Sequence, residues 1–167
     1  MNVQYPMGGL RGARTISVVR DDQEVITPPS EEGLMAAKIP ARAEAVAKAR
    51  HQLGKLLQNS GLSECADTAV LAAQELMVNA MVHGCGSKPA LQFFVRATRE
   101  GGRLRVEVED PSIEQPHPRP AASDEEGGRG LHLVDALVAR WGTDSATTGS
   151  GKTVWFELDL ATEEGAS

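Results

Sequence analysis

Leu71-Ala-Ala-Gln-Glu-Leu-Met-Val-Asn-Ala-Met-Val-His83 is a strongly apolar run of helix-forming residues that carries Glu75, Asn79 and His83 at intervals of four. At about 100° per residue these three fall within roughly an 80° arc of one helix face. The other faces are Leu, Ala, Met and Val, so the helix is expected to be largely buried. A carboxylate in such surroundings is costly unless a partner or ligand satisfies it. The polar stripe therefore reads as the wall of a site.

The 167 residues suit one domain with a real core. Aromatic residues make up only 4%, so that core must be built from Leu, Val, Ala and Met, and stacking platforms for bases are not expected. The net charge of -6 argues against a nonspecific nucleic-acid binder, which needs a basic face to release counterions. Cys65 and Cys85 form no CxxC pair and have no His at zinc spacing, so they read as two small thiols in a reducing cytoplasm. No basic stretch followed by an apolar core opens the chain, and no run approaches the ~18 apolar residues of a membrane span. The expected location is cytoplasmic, with no membrane contact.

Outward from the stripe, residues 1–33 read as a peripheral segment. Within it, Thr15-Ile-Ser-Val-Val19 and Glu24-Val-Ile-Thr27 are a possible hairpin before the Pro28-Pro29 break. Leu34 to Ile39 is a short strand. Ala41 to Gln58 is an amphipathic helix with Val46, Leu53, Leu56 and Leu57 on one face, and Leu62 to Val82 is a second helix. Ala90 to Thr98 and Arg103 to Glu109 are strands joined by the hairpin signal Arg99-Glu-Gly-Gly102. The latter strand alternates Leu104, Val106 and Val108 with charged residues and runs into Asp110. A long proline-rich loop, Pro111 to Gly128, has the length of a lid or a disordered segment. Gly130 to Trp141 is a third helix. Arg140 to Ala146 and Lys152 to Leu160 are closing strands, and residues 161–167 a polar tail. These elements predict an α+β two-layer sandwich, with three main helices on one face of a mixed, largely antiparallel sheet.

Gly149-Ser-Gly-Lys-Thr153 looks like the end of a P-loop but fails as one. The first glycine would fall at Ala146, and a strand follows rather than a helix. Gly127-Gly-Arg-Gly-Leu131 is better placed for phosphate, because glycines just before a helix let backbone N–H groups turn towards an anion. Alone it is a weak signal, and a flexible loop with an N-terminal glycine cap is the favoured reading.

Glu75-x3-Asn79-Ala80, Asp110, Gly128-Arg-Gly-Leu-x-Leu133 and Thr153 resemble, in order and spacing, the N, G1, G2 and final Thr boxes of the GHKL (Bergerat-fold) ATPases. Within that superfamily the chain is similar to the short bacterial anti-sigma-factor serine kinases, the RsbW-like group, over roughly residues 34–160. The resemblance implies the Bergerat ATP-binding fold, with ATP and Mg²⁺ as cofactors. It makes Asn79 the Mg²⁺ ligand, for which an amide oxygen is suitable. It makes Glu75 the general base for a substrate serine hydroxyl. Asp110 would accept a hydrogen bond from the adenine amino group, and Thr153 would support adenine. Gly128, Arg129, Gly130 and Leu131 would form the phosphate turn, with Arg129 reaching either phosphate or only solvent. His83 is either a wall of the phosphate or ribose side or a helix-end histidine. One position departs from the pattern: the usual Asp-x-Gly is Asp110-Pro-Ser112, which would narrow the space beside adenine or stiffen the lid hinge.

The resemblance implies a kinase that phosphorylates a serine of a STAS-type anti-sigma-factor antagonist, holds a sigma factor, and is commonly a homodimer. A histidine kinase would need a phosphoacceptor helix with His followed by Glu or Asp, and His51-Gln52 does not supply it. The competing reading is a non-catalytic module that sequesters its partners, motivated by Ser112. An ATPase working by lid-driven dimerisation ranks last.

Overall fold

The computed structural model describes residues 33–114, 129–146 and 149–161. Five strands, β1 (Gly33–Pro40), β2 (Gln92–Glu100), β3 (Arg103–Asp110), β4 (Arg140–Ser145) and β5 (Lys152–Asp159), form one sheet in the order β1-β2-β3-β5-β4. All four ladders are antiparallel, so the sheet, expected from sequence to be mixed but largely antiparallel, is antiparallel in every pairing among the described residues. The helices are α1 (Ala43–Asn59), α2 (Ser63–Asn79) and α3 (Arg129–Leu137), and α2 runs on into a π-helical turn at Ala80–Gly84. The N-terminal hairpin considered above, most of the proline-rich loop and the polar tail lie outside the described residues.

Period-two alternation decides which sheet face is buried. Met35, Ala37 and Ile39 of β1, Phe93, Val95 and Ala97 of β2, Leu104, Val106 and Val108 of β3, and Val154, Phe156 and Leu158 of β5 all turn towards the helices. The β2–β3 connection uses Gly101 and Gly102 at φ 54° and 75°, the backbone a two-residue hairpin with the right twist demands. From the helix layer, Val46, Ala49, Leu53 and Leu57 of α1 meet Ala66, Ala69, Ala72, Ala73, Leu76 and Met77 of α2. Four alanines on the buried face of α2 let it lie close to its neighbours, which suits a core poor in aromatics. Neither α1 nor α2 has a side-chain N-cap hydrogen bond, so burial of the apolar face rather than capping holds them.

α3 ends at Leu137, four residues short of the sequence expectation, and Trp141 belongs to β4. The Val134/Leu137/Val138 spacing continues the helical pattern, but Ala139 donates its N–H to the Glu157 carbonyl, and the chain enters the sheet there. The outer sheet face is polar and cross-paired: Arg96 opposes Glu107, Arg105 opposes Glu157, and Arg140 also opposes Glu157. The Arg105 guanidinium lies 4.1 Å over the Trp155 ring.

Candidate functional site

The candidate site residues sit on the C-terminal half of α2, the start of α3, the end of β3 and the start of β5, and α2 contacts each of the other three elements. Glu75 and Asn79 are half-buried, one helical turn apart on α2. Neither side chain has a hydrogen-bond partner among the described residues. Burial pushes the Glu75 carboxyl above its ordinary value. A raised, unpartnered carboxylate on a rigid helix suits proton acceptance, and an unpartnered amide oxygen beside it suits a hard cation or water.

At Gly130 the start of α3 meets the Glu75 carboxylate. A Cβ at that position would stand 2.6 Å from Glu75 Oε2, so with glycine there α3 begins against Glu75 without displacing its carboxylate. Leu131, next in line, is 2% exposed and packs into the core; its side chain faces apolar residues. Gly128 and the Arg129 side chain lie outside the described residues.

His83 does not stay equivalent to Glu75 and Asn79. The π-helical turn, closed by Cys85 N–H to the Ala80 carbonyl at 2.8 Å, ends the regular 100° advance, and His83 is exposed. The wider turn instead delivers Gly84 against Asp110, where a Cβ would overlap the Asp110 carboxyl.

Asp110 is 4% exposed, in phase with Val106 and Val108 on the helix-facing side of the sheet. Its Oδ1 accepts from the Lys152 ammonium at 3.0 Å and from the Ser112 backbone N–H at 2.9 Å. Burial raises the Asp110 carboxyl above its ordinary value, and Lys152 and the Ser112 N–H oppose that rise. The Ser112 hydroxyl in turn accepts the Glu114 N–H at 3.1 Å. Ser112 is not at positive φ, so the backbone here does not require the glycine of the Asp-x-Gly pattern.

Thr153 is not brought to Asp110. It pairs with Glu109 and Asp144 and lines a cavity of the outer sheet face with Phe94, Arg96 and Glu107. One residue along a strand reverses the face, and Lys152 is the residue opposite Asp110. Sequence reading missed Lys152, although Lys152, Val154, Phe156 and Leu158 share one alternation and place the lysine in phase with the core. Gly84 and Gly151 were missed as well. Gly151, at φ +107°, abuts the Asp110 carbonyl so closely that no side chain fits. The Gly149–Gly151 turn leads into β5, not a helix, as the rejection of a P-loop requires.

Among the described residues no group of three or more His, Cys, Asp or Glu is placed to hold a metal ion. Mg²⁺ bound to phosphates keeps several waters and needs only one or two protein ligands, so the free Asn79 amide fits that role. No helix among the described residues is long and apolar enough to cross a membrane.

A family model described as histidine kinase-like ATPase domain matches residues 39–158. Among solved structures, the histidine kinase domain from the Erythrobacter litoralis EL346 blue-light activated histidine kinase aligns at a TM-score of 0.43 and 22% identity. That alignment covers 72% of this chain and 61% of the other, less than two thirds of its length. A comparison with curated proteins finds no match.

Proposed function

The chain belongs to the histidine kinase-like ATPase domain family, of the GHKL type, and we propose that it is a Mg-ATP-dependent protein-serine kinase of the anti-sigma-factor kind. The observation that carries this reading is Glu75: a half-buried carboxylate without a hydrogen-bond partner among the described residues, its affinity for protons raised, one turn before a free Asn79 and flush against Gly130. Bound Mg-ATP would supply the transferable phosphoryl group and neutralise its charge. Asn79 would hold the metal through its amide oxygen. Asp110 would accept the adenine amino group through Oδ2, since Oδ1 is already engaged. Glu75 would orient the acceptor serine hydroxyl and take its proton as the phosphoryl group arrives. The partner that bears this serine is read as a STAS-type anti-sigma-factor antagonist, with a sigma factor as the released or retained counterpart, in a cytoplasmic setting.

Incubation with labelled ATP, Mg²⁺ and a STAS-type antagonist tests the reading. Label should appear on the antagonist, Glu75→Gln should abolish transfer while sparing nucleotide binding, and Asn79→Ala should lose Mg-dependent binding. No transfer at saturating ATP would sink it. Ser112, where the Asp-x-Gly pattern has glycine, motivates a second reading, a module that sequesters partners without catalysis. Calorimetry with ADP and Mg²⁺ separates the two: absence of heat supports the module.

A further inference from the structure

Asp110 and Lys152 face each other across β3 and β5 with side-chain exposures of 3% and 7%. Taking two such charges out of water costs several kcal/mol per ion, and an apolar pair of similar size serves stability at least as well. The pair is also lopsided. Both available donors, Lys152 Nζ and the Ser112 N–H, go to Oδ1. Oδ2 has no hydrogen-bond partner among the described residues, yet it is not one of the fully enclosed orphan atoms. Gly84 of the π-helical turn lies against the Asp110 carboxyl, and Gly151, just before β5, against the Asp110 backbone carbonyl.

The geometry points to Lys152 as the residue that sets base selectivity: it holds Asp110 as an anion whose Oδ2 can only accept, so the seat takes a 6-aminopurine nucleotide and rejects the 6-oxo counterpart. This rests on the reading of Asp110 as the base-binding carboxylate. A buried carboxyl with no cation beside it is driven towards its neutral form. The proton would then sit on Oδ2, the oxygen without a donor, and an acceptor would become a donor. A donor there matches the 6-oxo group of hypoxanthine instead of the 6-amino group of adenine. Burial already raises Asp110, and Lys152 is the chief group opposing it.

The other groups around Asp110 do not take over that task. Glu109, on the same strand, pushes the same way as burial. Cys85, after the π-helical turn, has a thiol raised by burial and by Asp110 itself. His83 of that turn is exposed, α2 contributes the acidic Glu75, and the residues β2 turns to this face are Phe93, Val95 and Ala97. Lys152 is thus a positioning residue acting through Asp110.

The test is calorimetric titration of the full chain with Mg-ADP and Mg-IDP at about pH 8 and about pH 5.5. The unmodified protein should prefer ADP by ~10-fold or more at both values, the worth of one charge-assisted hydrogen bond. Lys152→Met should lose that preference as the pH is lowered, and Lys152→Arg should keep it. If Lys152→Met does not fold, Lys152→Gln, which keeps a donor for Oδ1 without the charge, carries the same expectation. A Lys152→Met or Lys152→Gln protein whose ADP-to-IDP ratio does not change with pH, or that binds both nucleotides more weakly by the same factor, overturns the role of Lys152 alone. Failure of the unmodified protein to bind ADP overturns the nucleotide reading and this role together.

Discussion

Glu75 is held at a cost to the fold, and the sign of that cost is testable. Its folded-state affinity for protons is raised by burial above the ordinary carboxylate value of 4.5. The folded chain therefore binds this proton more readily than the unfolded chain. The stability linked to it is complete below the unfolded value and is lost as pH rises through the folded one. Near pH 7 the ionised Glu75 is a net burden, so Glu75→Gln should unfold at higher urea than the unmodified protein. The two should converge as the pH falls towards about 4. A variant less stable at neutral pH would contradict this account. Under the proposed role of Glu75 as the base, the same rise sets the acid limb of phosphoryl transfer: activity should fall at a higher pH than an ordinary carboxylate would give. Glu75 and Asn79 were legible in the sequence because a four-residue interval on an apolar helix is itself informative. His83 was not, because nothing in Ala80-Met-Val-His-Gly84 announces a π-helical turn.

Between elements, the decisive contact is α3 against α2. The glycine at 130 lets the first turn of α3 lie on the Glu75 carboxylate, and a Cβ there would come within 2.6 Å of Oε2. The obstructed atom is the far end of a flexible side chain, so Gly130→Ala should fold normally and displace Glu75 instead. Under the proposed role of Glu75 as the base, transfer should fall by ~100-fold, as an ångström-scale misplacement of such a group costs. Affinity for ADP should change little. Unchanged turnover in a folded Gly130→Ala would show that the contact is incidental. Strand β5 carries the other lesson of this scale. A family pattern read along the sequence places Thr153 in the site, but a strand has two faces, and pairing with Asp110 assigns the inner one to Lys152.

For the molecule as a whole, the two sheet faces divide the work between apolar burial and charge pairing. On the outer face, Glu157 accepts from Arg105 at 3.0 Å and from Arg140 at 2.9 Å, which ties β3, β5 and β4 together. The hydrogen bond from Arg140 is the foremost cause holding its carboxyl below the ordinary range, with Arg105 adding to it. A depressed folded value contributes stability that is present above the unfolded pKa and lost as pH falls through the folded one. Glu157→Gln should therefore lower the urea midpoint at neutral pH, less so at high salt, and the deficit should close below about pH 4. A midpoint indifferent to the substitution at low salt would mean that this network is ornamental to stability.

The sequence by itself determined the layers and their order, because apolar period is local: 3.6 along α1 and α2, two along β3 and β5. It also determined the pair Glu75 and Asn79, which share a helix and need no other element to be neighbours. Tertiary structure decided what depends on contacts between distant segments. Ladder pairing placed Lys152 rather than Thr153 opposite Asp110 and set the limit of α3, while Gly84 and Gly130 lie against the Asp110 and Glu75 side chains and Gly151 against the Asp110 backbone carbonyl. It also brought Lys152 to the Asp110 oxygen that already accepts the N–H of Ser112 two residues on, leaving the other oxygen without a hydrogen-bond partner among the described residues.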